Sequence, residues 1–288
     1  FHVASTHDNL LFFTDSGKVF QTQGYEIPEG TRVARGRGLL NFLESSANEK
    51  VLSLVPISKA QANKADADKF LVMVTKNGRI KKTPLEEFEN VRKSGIIAIK
   101  LEKGDLLKKV VKTSGQDNIM LVTKNGISIR FKEQDIRPMG RGAAGVKGIS
   151  LKKGDEVIGM DVIQNFTPTA NFGVGARIPN IKNQKAKRYL LVVTNNGYGK
   201  KTEISQYRTQ KRGGTGIKTA KITSKTGTIV FSCILNEPIE DQDLIVISQK
   251  GNVIRTATKS ISVLGRATQG VRIMRLDVSD KVASGSFV

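Results

Sequence analysis

A five-fold internal repeat limits what this chain can fold into more than any other feature. Segments Leu10–Thr22, Leu71–Thr83, Ile119–Phe131, Leu190–Thr202 and Leu244–Thr256 each pass from an apolar run through a Gly-terminated turn into a second β-prone run. The turns close on Gly17, Gly78, Gly126, Gly197 and Gly251. Ser-Gly or Asn-Gly between two such runs marks a hairpin, because the tight turn requires positive φ. Four residues further on stands Gln21, Lys82, Arg130, Lys201 or Arg255. A second glycine, Gly38, Gly95, Gly145, Gly216 or Gly270, follows the first by 21, 17, 19, 19 and 19 residues. Another strand-like stretch comes after it, as in Val146–Leu151 and Val271–Leu276.

The repeats occupy 10–57, 70–114, 119–163, 189–235 and 244–288, each with room for about four short strands. No long stretch with a helical 3.6-residue period interrupts them; only Pro84–Phe88 reads as a helical turn. Ser5–Asn9 (STHDN) resembles Ser114–Asn118 (SGQDN), which makes residues 1–9 the end of an upstream unit. Residues 58–69 and 164–188 read as polar linkers, the second carrying Pro168, Pro179 and a basic end. A radial ring of small sheets leaves only short, protected edges, and it explains the equal glycine spacing. Two sandwiches or an open solenoid would not. The expected fold is therefore all-β: one propeller-like disc of about six four-stranded blades, five of them complete here.

Charge supplies the functional lead. Lys and Arg number 47 against 26 Asp and Glu, a net +21 that calls for a polyanionic partner. The cations recur at equivalent places. Around the second glycine lie Arg32, Arg35 and Arg37; Arg92 and Lys93; Arg137 and Arg141; Arg208, Lys211 and Arg212; and Arg266. Just after it come Lys100, Lys147, Lys218, Lys221, Arg272 and Arg275. On a disc, equivalent positions share one rim, so the repeat predicts a basic belt. Such a belt reads phosphates rather than base edges, which makes double-stranded DNA, bound with weak sequence preference and steep salt dependence, the expected ligand. The densest cluster is Gln210–Gly216 (QKRGGTG), where Lys211 and Arg212 supply charged donors. Gly213, Gly214 and Gly216, with Thr215 between them, let backbone amides approach a phosphate.

Several chemistries have no support. The single cysteine, Cys233, rules out a disulfide framework and suits a reducing cytoplasm. His2 and His7 have no metal-ligand spacing, and no run of the roughly 18 apolar residues of a membrane span occurs. Gly140–Gly145 (GRGAAG) fits a dinucleotide pattern, but it lies between β-prone flanks rather than in a strand–helix unit. No carboxylate pair or nucleophile–base set stands out, so no catalytic, metal-binding or cofactor-binding residue is expected in the chain.

Five ordered phrases resemble one family. They are Ser5–Phe20 (STHDNLLFFTDSGKVF), Gly24–Arg32 (GYEIPEGTR), Gly197–Thr202 (GYGKKT), Tyr207–Ile222 (YRTQKRGGTGIKTAKI) and Ile261–Arg275 (ISVLGRATQGVRIMR). Together they make the chain similar, over nearly its whole length, to the carboxy-terminal domain of gyrase A, one of the two proteins of DNA gyrase. The resemblance implies a β-pinwheel that exchanges strands between blades. It also implies a non-catalytic module wrapping duplex DNA around its rim, so that an ATP-dependent holoenzyme introduces negative supercoils. ATP and Mg2+ belong to that holoenzyme, as do gyrase B and the rest of gyrase A in an A2B2 assembly; a cytoplasmic, nucleoid-associated location follows. Gln210–Gly216 looks like the family's box with Lys211 in place of the first Arg; the resemblance implies a principal copy in a first blade that would lie mostly upstream of Phe1. The alternatives are the equivalent domain of topoisomerase IV and, from a different class, a propeller scaffold for acidic protein partners.

Overall fold

The computed structural model describes residues 4–30, 38, 43, 49–57, 69–164, 187–236 and 243–287. Nineteen strands in these residues form five antiparallel sheets. The first holds β1 (Asn9–Thr14), β2 (Lys18–Gln23), β3 (Val51–Ile57) and β6 (Ile96–Ile97), in the order β3-β1-β2-β6. The second holds β4 (Phe70–Thr75), β5 (Arg79–Pro84), β7 (Leu107–Thr113) and β10 (Val146–Lys147). The third holds β8 (Asn118–Thr123), β9 (Ile127–Lys132), β11 (Val157–Ile163) and β14 (Ile217–Lys218). The fourth holds β12 (Arg188–Thr194), β13 (Tyr198–Glu203), β15 (Ile229–Asn236) and β18 (Val271–Arg272). In the fifth, β17 (Val253–Ala257), β16 (Asp243–Ser248) and β19 (Val282–Phe287) make three strands.

The all-β, propeller-like arrangement is as expected, and the way each blade is built explains the glycine spacing. Each hairpin closes the same way: the turn-glycine amide donates to the carbonyl three residues back, Gly78 to Thr75 at 3.0 Å and Gly197 to Thr194 at 3.0 Å. With φ near +80° at both glycines, this is a type I turn followed by a one-residue bulge. The preceding threonine completes it, since Thr75 Oγ1 accepts from the Arg79 amide and Thr194 Oγ1 from the Tyr198 amide, both at 3.2 Å.

The two-residue strand after the second glycine does not join its own sheet. It pairs with the second strand of the preceding unit: Val146↔Ile80, Ile217↔Ser128, Val271↔Gly199. The second glycine abuts that neighbour at positive φ. A Cβ on Gly145 would lie 2.5 Å from the Ile80 carbonyl oxygen, and one on Gly216 2.6 Å from that of Ser128. The near-constant spacing is the reach from a unit's own turn to its neighbour's edge.

The central strands of units two to four are apolar on both faces because each lies between two sheets, whereas β16 of unit five buries one face, Leu244 and Val246. Leu71 and Met73 pack with Leu11 and Phe13 of the first unit, whereas Val72 and Val74 pack with Ile119 and Leu121 of the third. The same division recurs at Leu190 and Val192 against Leu191 and Val193. The third strands β3, β7, β11, β15 and β19 contact one another in series and mark the inner side. The exchanged strands β6, β10, β14 and β18 form the opposite, outer edge. Linker residues 58–68 and 165–186 lie outside the described residues, as do Arg32, Arg35 and Arg37. Among the described residues, no helix is long and apolar enough to cross a membrane.

Candidate nucleic-acid interface

Strand exchange places the repeated cations. In each of units two to five, the chain leaves a short 3-10 turn, runs as a loop to the second glycine, and enters the outer edge strand. Arg92 and Lys93, Arg137 and Arg141, Arg208 to Gly216, and Arg266 lie on these four loops. Lys147, Lys218 and Arg272 lie on the edge strands themselves and are exposed. Parallel bridges seat the loops at matching points of the neighbouring sheet: Lys82↔Pro138, Arg130↔Thr209 and Lys201↔Val263. The topology therefore gathers these candidates onto one perimeter, while Lys100, Lys221 and Arg275 follow the edge strands and are exposed.

Their surroundings differ along it. In units two and three, Lys93 pairs with Glu26 at 3.5 Å, Arg141 with Glu87 at 3.5 Å, and Arg79 with Glu102 at 3.1 Å. In units four and five, no carboxylate among the described residues lies within ion-pair distance of Arg208, Lys211, Arg212, Lys218, Lys221, Arg266 or Arg272.

The Gln210–Gly216 loop is stapled to the third unit. The Gln210 amide donates to the Arg130 carbonyl (2.7 Å), and the Gly213 amide to that of Gly148 (2.8 Å). Ser150 donates its amide to the Gly214 carbonyl (2.9 Å) and its hydroxyl to that of Gly213 (2.8 Å). Arg212 turns its Nε to the Asp135 carbonyl (3.1 Å) and Nη1 to that of Lys147. Two loop amides and much of the Arg212 donor set thus serve the blade junction, while Lys211, Thr215, Lys218 and Lys221 are exposed.

In units two to four the cation four residues after the turn glycine has a different task, whereas Arg255 of unit five is exposed and pairs with Asp243. Lys82 and Lys201 are buried, and each reaches the 3-10 turn of the next unit, Lys82 Nζ to the Glu133 carbonyl (3.3 Å) and Lys201 Nζ to that of Thr258 (2.7 Å). Arg130 reaches the Tyr207 carbonyl (3.3 Å). The Lys82 ammonium also lies 5.0 Å over the Phe70 ring and 3.8 Å from the buried Glu133 carboxylate. Burial raises the Glu133 carboxyl above its ordinary range, opposed by hydrogen bonds and Lys82; burial likewise lowers Lys82.

Sequence reasoning missed a cleft of about 470 Å3 at the hairpin end of units four and five, where Tyr198, Lys225, Arg272 and Arg275 share the lining with Asp277 and Asp280. Arg272 donates to the Tyr198 hydroxyl at 3.1 Å, and Lys225 lies 5.6 Å over the ring. The Arg272 bond and the nearby cations lower the phenol below its ordinary range. A Tyr in place of the Lys18, Arg79 and Ile127 of other repeats was the available signal. Among the described residues, no group of three or more His, Cys, Asp or Glu is arranged to hold a metal ion.

The family described as DNA gyrase C-terminal domain, beta-propeller, matches residues 8–58, 69–114, 117–164, 188–231 and 242–288. The chain belongs to that family. The gyrase A protein of Staphylococcus epidermidis (strain ATCC 12228 / FDA PCI 1200) is 40% identical over 272 residues, 94% of this chain and 28% of that protein. The corresponding protein of Staphylococcus aureus (strain NCTC 8325 / PS 47) matches to the same extent. The chain thus spans 28% of the length of these curated relatives. Among solved structures, the C-terminal domain of DNA topoisomerase IV superposes with a TM-score of 0.79 at 23% identity, covering 98% of this chain and 80% of that one. The gyrase A C-terminal domain superposes at 0.75 with 25% identity, covering 99% and 83%. The backbone superposes on C-terminal domains of both kinds, and the two full-length relatives named above are gyrase A proteins.

Proposed function

We propose that this chain is a non-catalytic DNA-wrapping module that bends duplex DNA along its outer perimeter. The observation that carries the reading is the run of cations on the loops and edge strands of units four and five, Arg208 to Lys221 and Arg266 to Arg272, exposed or half-buried and without a carboxylate partner among the described residues. These groups follow the curve of successive outer edges, so a duplex that satisfies them all must follow it too. Bending a short duplex by 40–90° costs roughly 1–6 kcal/mol, which several charge-assisted phosphate contacts offset. Phosphates look alike in every sequence, so deformability of the duplex, not its base edges, governs preference.

Family membership favours a place in a gyrase: duplex wrapped here would be presented to a cleavage core elsewhere in gyrase A, with the gyrase B partner, ATP and Mg2+ driving strand passage toward negative supercoiling. Sequence identity to gyrase A proteins favours this over the topoisomerase IV equivalent. The test is binding of this chain to two unrelated duplexes between about 50 and about 200 mM salt, with ligation-circularisation to report the bend. Equal affinities, a steep salt slope and enhanced circularisation are expected. A flat salt titration or unbent DNA overturns the reading; tight binding to an acidic polypeptide with no DNA bending points to the scaffold alternative.

A further inference from the structure

The third residue after each turn glycine occupies one place in the blade, which in units one to four lies under the perimeter loop of the next unit. It is Phe20 in the first unit, Ile129 in the third and Ile254 in the fifth, but Lys81 in the second and Lys200 in the fourth. Both lysines are buried, at 0% and 1% exposure. Lys81 Nζ donates to the carbonyl oxygens of Ala98 (2.5 Å), Gly140 (3.1 Å) and Arg141 (2.6 Å). Lys200 Nζ donates to those of Gly265 (2.6 Å) and Arg266 (2.6 Å) and to Thr268 Oγ1 (2.9 Å). An ammonium has three N–H donors, and in both cases all three are used. Neither lysine has a carboxylate within ion-pair distance among the described residues.

A buried charge held only by dipoles costs stability, and the apolar residues at the sister positions build the same blade without it. Phe20 supports the second unit's loop, where a Cβ on Gly95 would meet its ring at 2.6 Å; Ile129 lies under Gly214 of the fourth. The perimeter loops therefore rest alternately on apolar and cationic supports. The cationic ones carry Arg141 and Arg266. We propose that Lys81 and Lys200 are positioning residues for DNA binding, drawing the loop carbonyl oxygens at Gly140–Arg141 and Gly265–Arg266 away from the perimeter and setting a fixed positive charge beneath each arginine.

This rests on the wrapping reading. A carbonyl oxygen facing outward repels a phosphate; turned onto a buried ammonium, it leaves the field of two cations toward the duplex, with Arg141 also paired to Glu87 (3.5 Å) and Arg266 also donating to the Lys218 carbonyl (3.3 Å). The arrangement also titrates in an accessible range. Burial lowers both lysines to about 8; Glu87 opposes this at Lys81 while Arg141 adds to it, and Arg266 adds to it at Lys200.

The experiment measures duplex affinity of this chain at constant salt from pH 7 to 9.5, beside Lys81→Met/Lys200→Met, with thermal unfolding followed by circular dichroism. The wild type is expected to weaken roughly tenfold across this range, the order for withdrawing two unit charges within a Debye length of phosphates. The double variant is expected to start about tenfold weaker at pH 7 and to show a flat profile. A wild-type affinity that does not change with pH overturns the proposal, and that result needs no variant. A folded double variant with wild-type affinity and profile overturns it as well, while leaving the wrapping reading intact. Absence of duplex binding by the wild type at every pH sinks the wrapping reading instead.

Discussion

Removing the three exposed lysines of the fourth unit's perimeter loop and its flank, Lys211→Ala, Lys218→Ala and Lys221→Ala, is expected to separate DNA contact from folding. All three are exposed and make no ion pair among the described residues, so their loss falls within the usual surface range of about ±0.5 kcal/mol each. Arg212 is left in place because its guanidinium staples the third and fourth units. Each phosphate contact contributes about 0.9 to the slope of log affinity against log salt, so the triple variant should lose about 2.7 from that slope. Between 50 and 200 mM salt, the gap between wild type and variant should narrow by roughly 1.6 decades. Fluorescence anisotropy on a labelled duplex at four salt concentrations reads both slopes, and a denaturant midpoint checks the fold. An unchanged slope in a stably folded variant would refute the assignment of these lysines to phosphates.

Arg212→Ala should cost about 1–2 kcal/mol, since two charge-assisted hydrogen bonds across a blade junction are lost at a partly exposed site; Arg212→Lys should keep the salt slope and lose most of the staple, as urea melts beside salt titrations will reveal. Gly216→Ala forces a side chain into φ +72° and a Cβ to 2.6 Å from the Ser128 carbonyl, for an expected loss of about 2–4 kcal/mol, whereas Gly214→Ala, whose nearest neighbour is at 3.4 Å, should cost under about 1 kcal/mol by chemical denaturation. Lys81 and Lys200 are lowered to about 8 in the folded state, from an unperturbed value near 10.5. The unfolded chain therefore holds more protons between these values, and folding stability should rise with pH from about 8 to about 10.5, by at most ~3 kcal/mol per lysine. Stability of the wild type relative to Lys81→Met/Lys200→Met, followed from pH 7.5 to 10, should show this rise; a constant difference contradicts the burial of charged ammoniums.

The repeat was legible because each copy answers the same steric demands. Gly78 and Gly197 must adopt positive φ, Thr75 and Thr194 close the bulge behind them, and Gly145 and Gly216 must let a neighbouring strand pass. Such demands leave the same residue at the same spacing. Apolar runs such as Leu71–Val74 were legible as strands, and their lack of alternation follows from burial on both faces. The destination of the strand after the second glycine was not readable from spacing alone, since two residues pair equally well with their own sheet or the next one. Nor was the division among the cations. Lys82 and Lys201 look in sequence like Lys218, yet they donate to carbonyls inside the blade junctions. Charge type marks a residue as able to bind an anion; only burial decides whether that anion is a phosphate or a peptide dipole.

The perimeter is graded rather than uniform, and the gradient has a mechanical meaning. Arg141 and Lys93 share their charge with Glu87 and Glu26, and surface pairs of this kind are worth little to the fold. What they do is lower the net positive field of units two and three, in water by about 1 kcal/mol per charge at contact distance. In units four and five the cations of the loops and edge strands, Arg208–Lys221 and Arg266–Arg272, have no such partner among the described residues, and the ion pair found there, Arg255 with Asp243, lies on the hairpin. On the wrapping reading proposed above, a duplex is expected to be held hardest at Arg208–Lys221 and Arg266–Arg272 and more loosely beside the ion-paired Lys93 and Arg141. Bending requires force at both ends of the contact, so on that reading the loosely held arc is where a wrapped duplex would peel away first, and unequal grip would let a segment be captured firmly and still leave the rim.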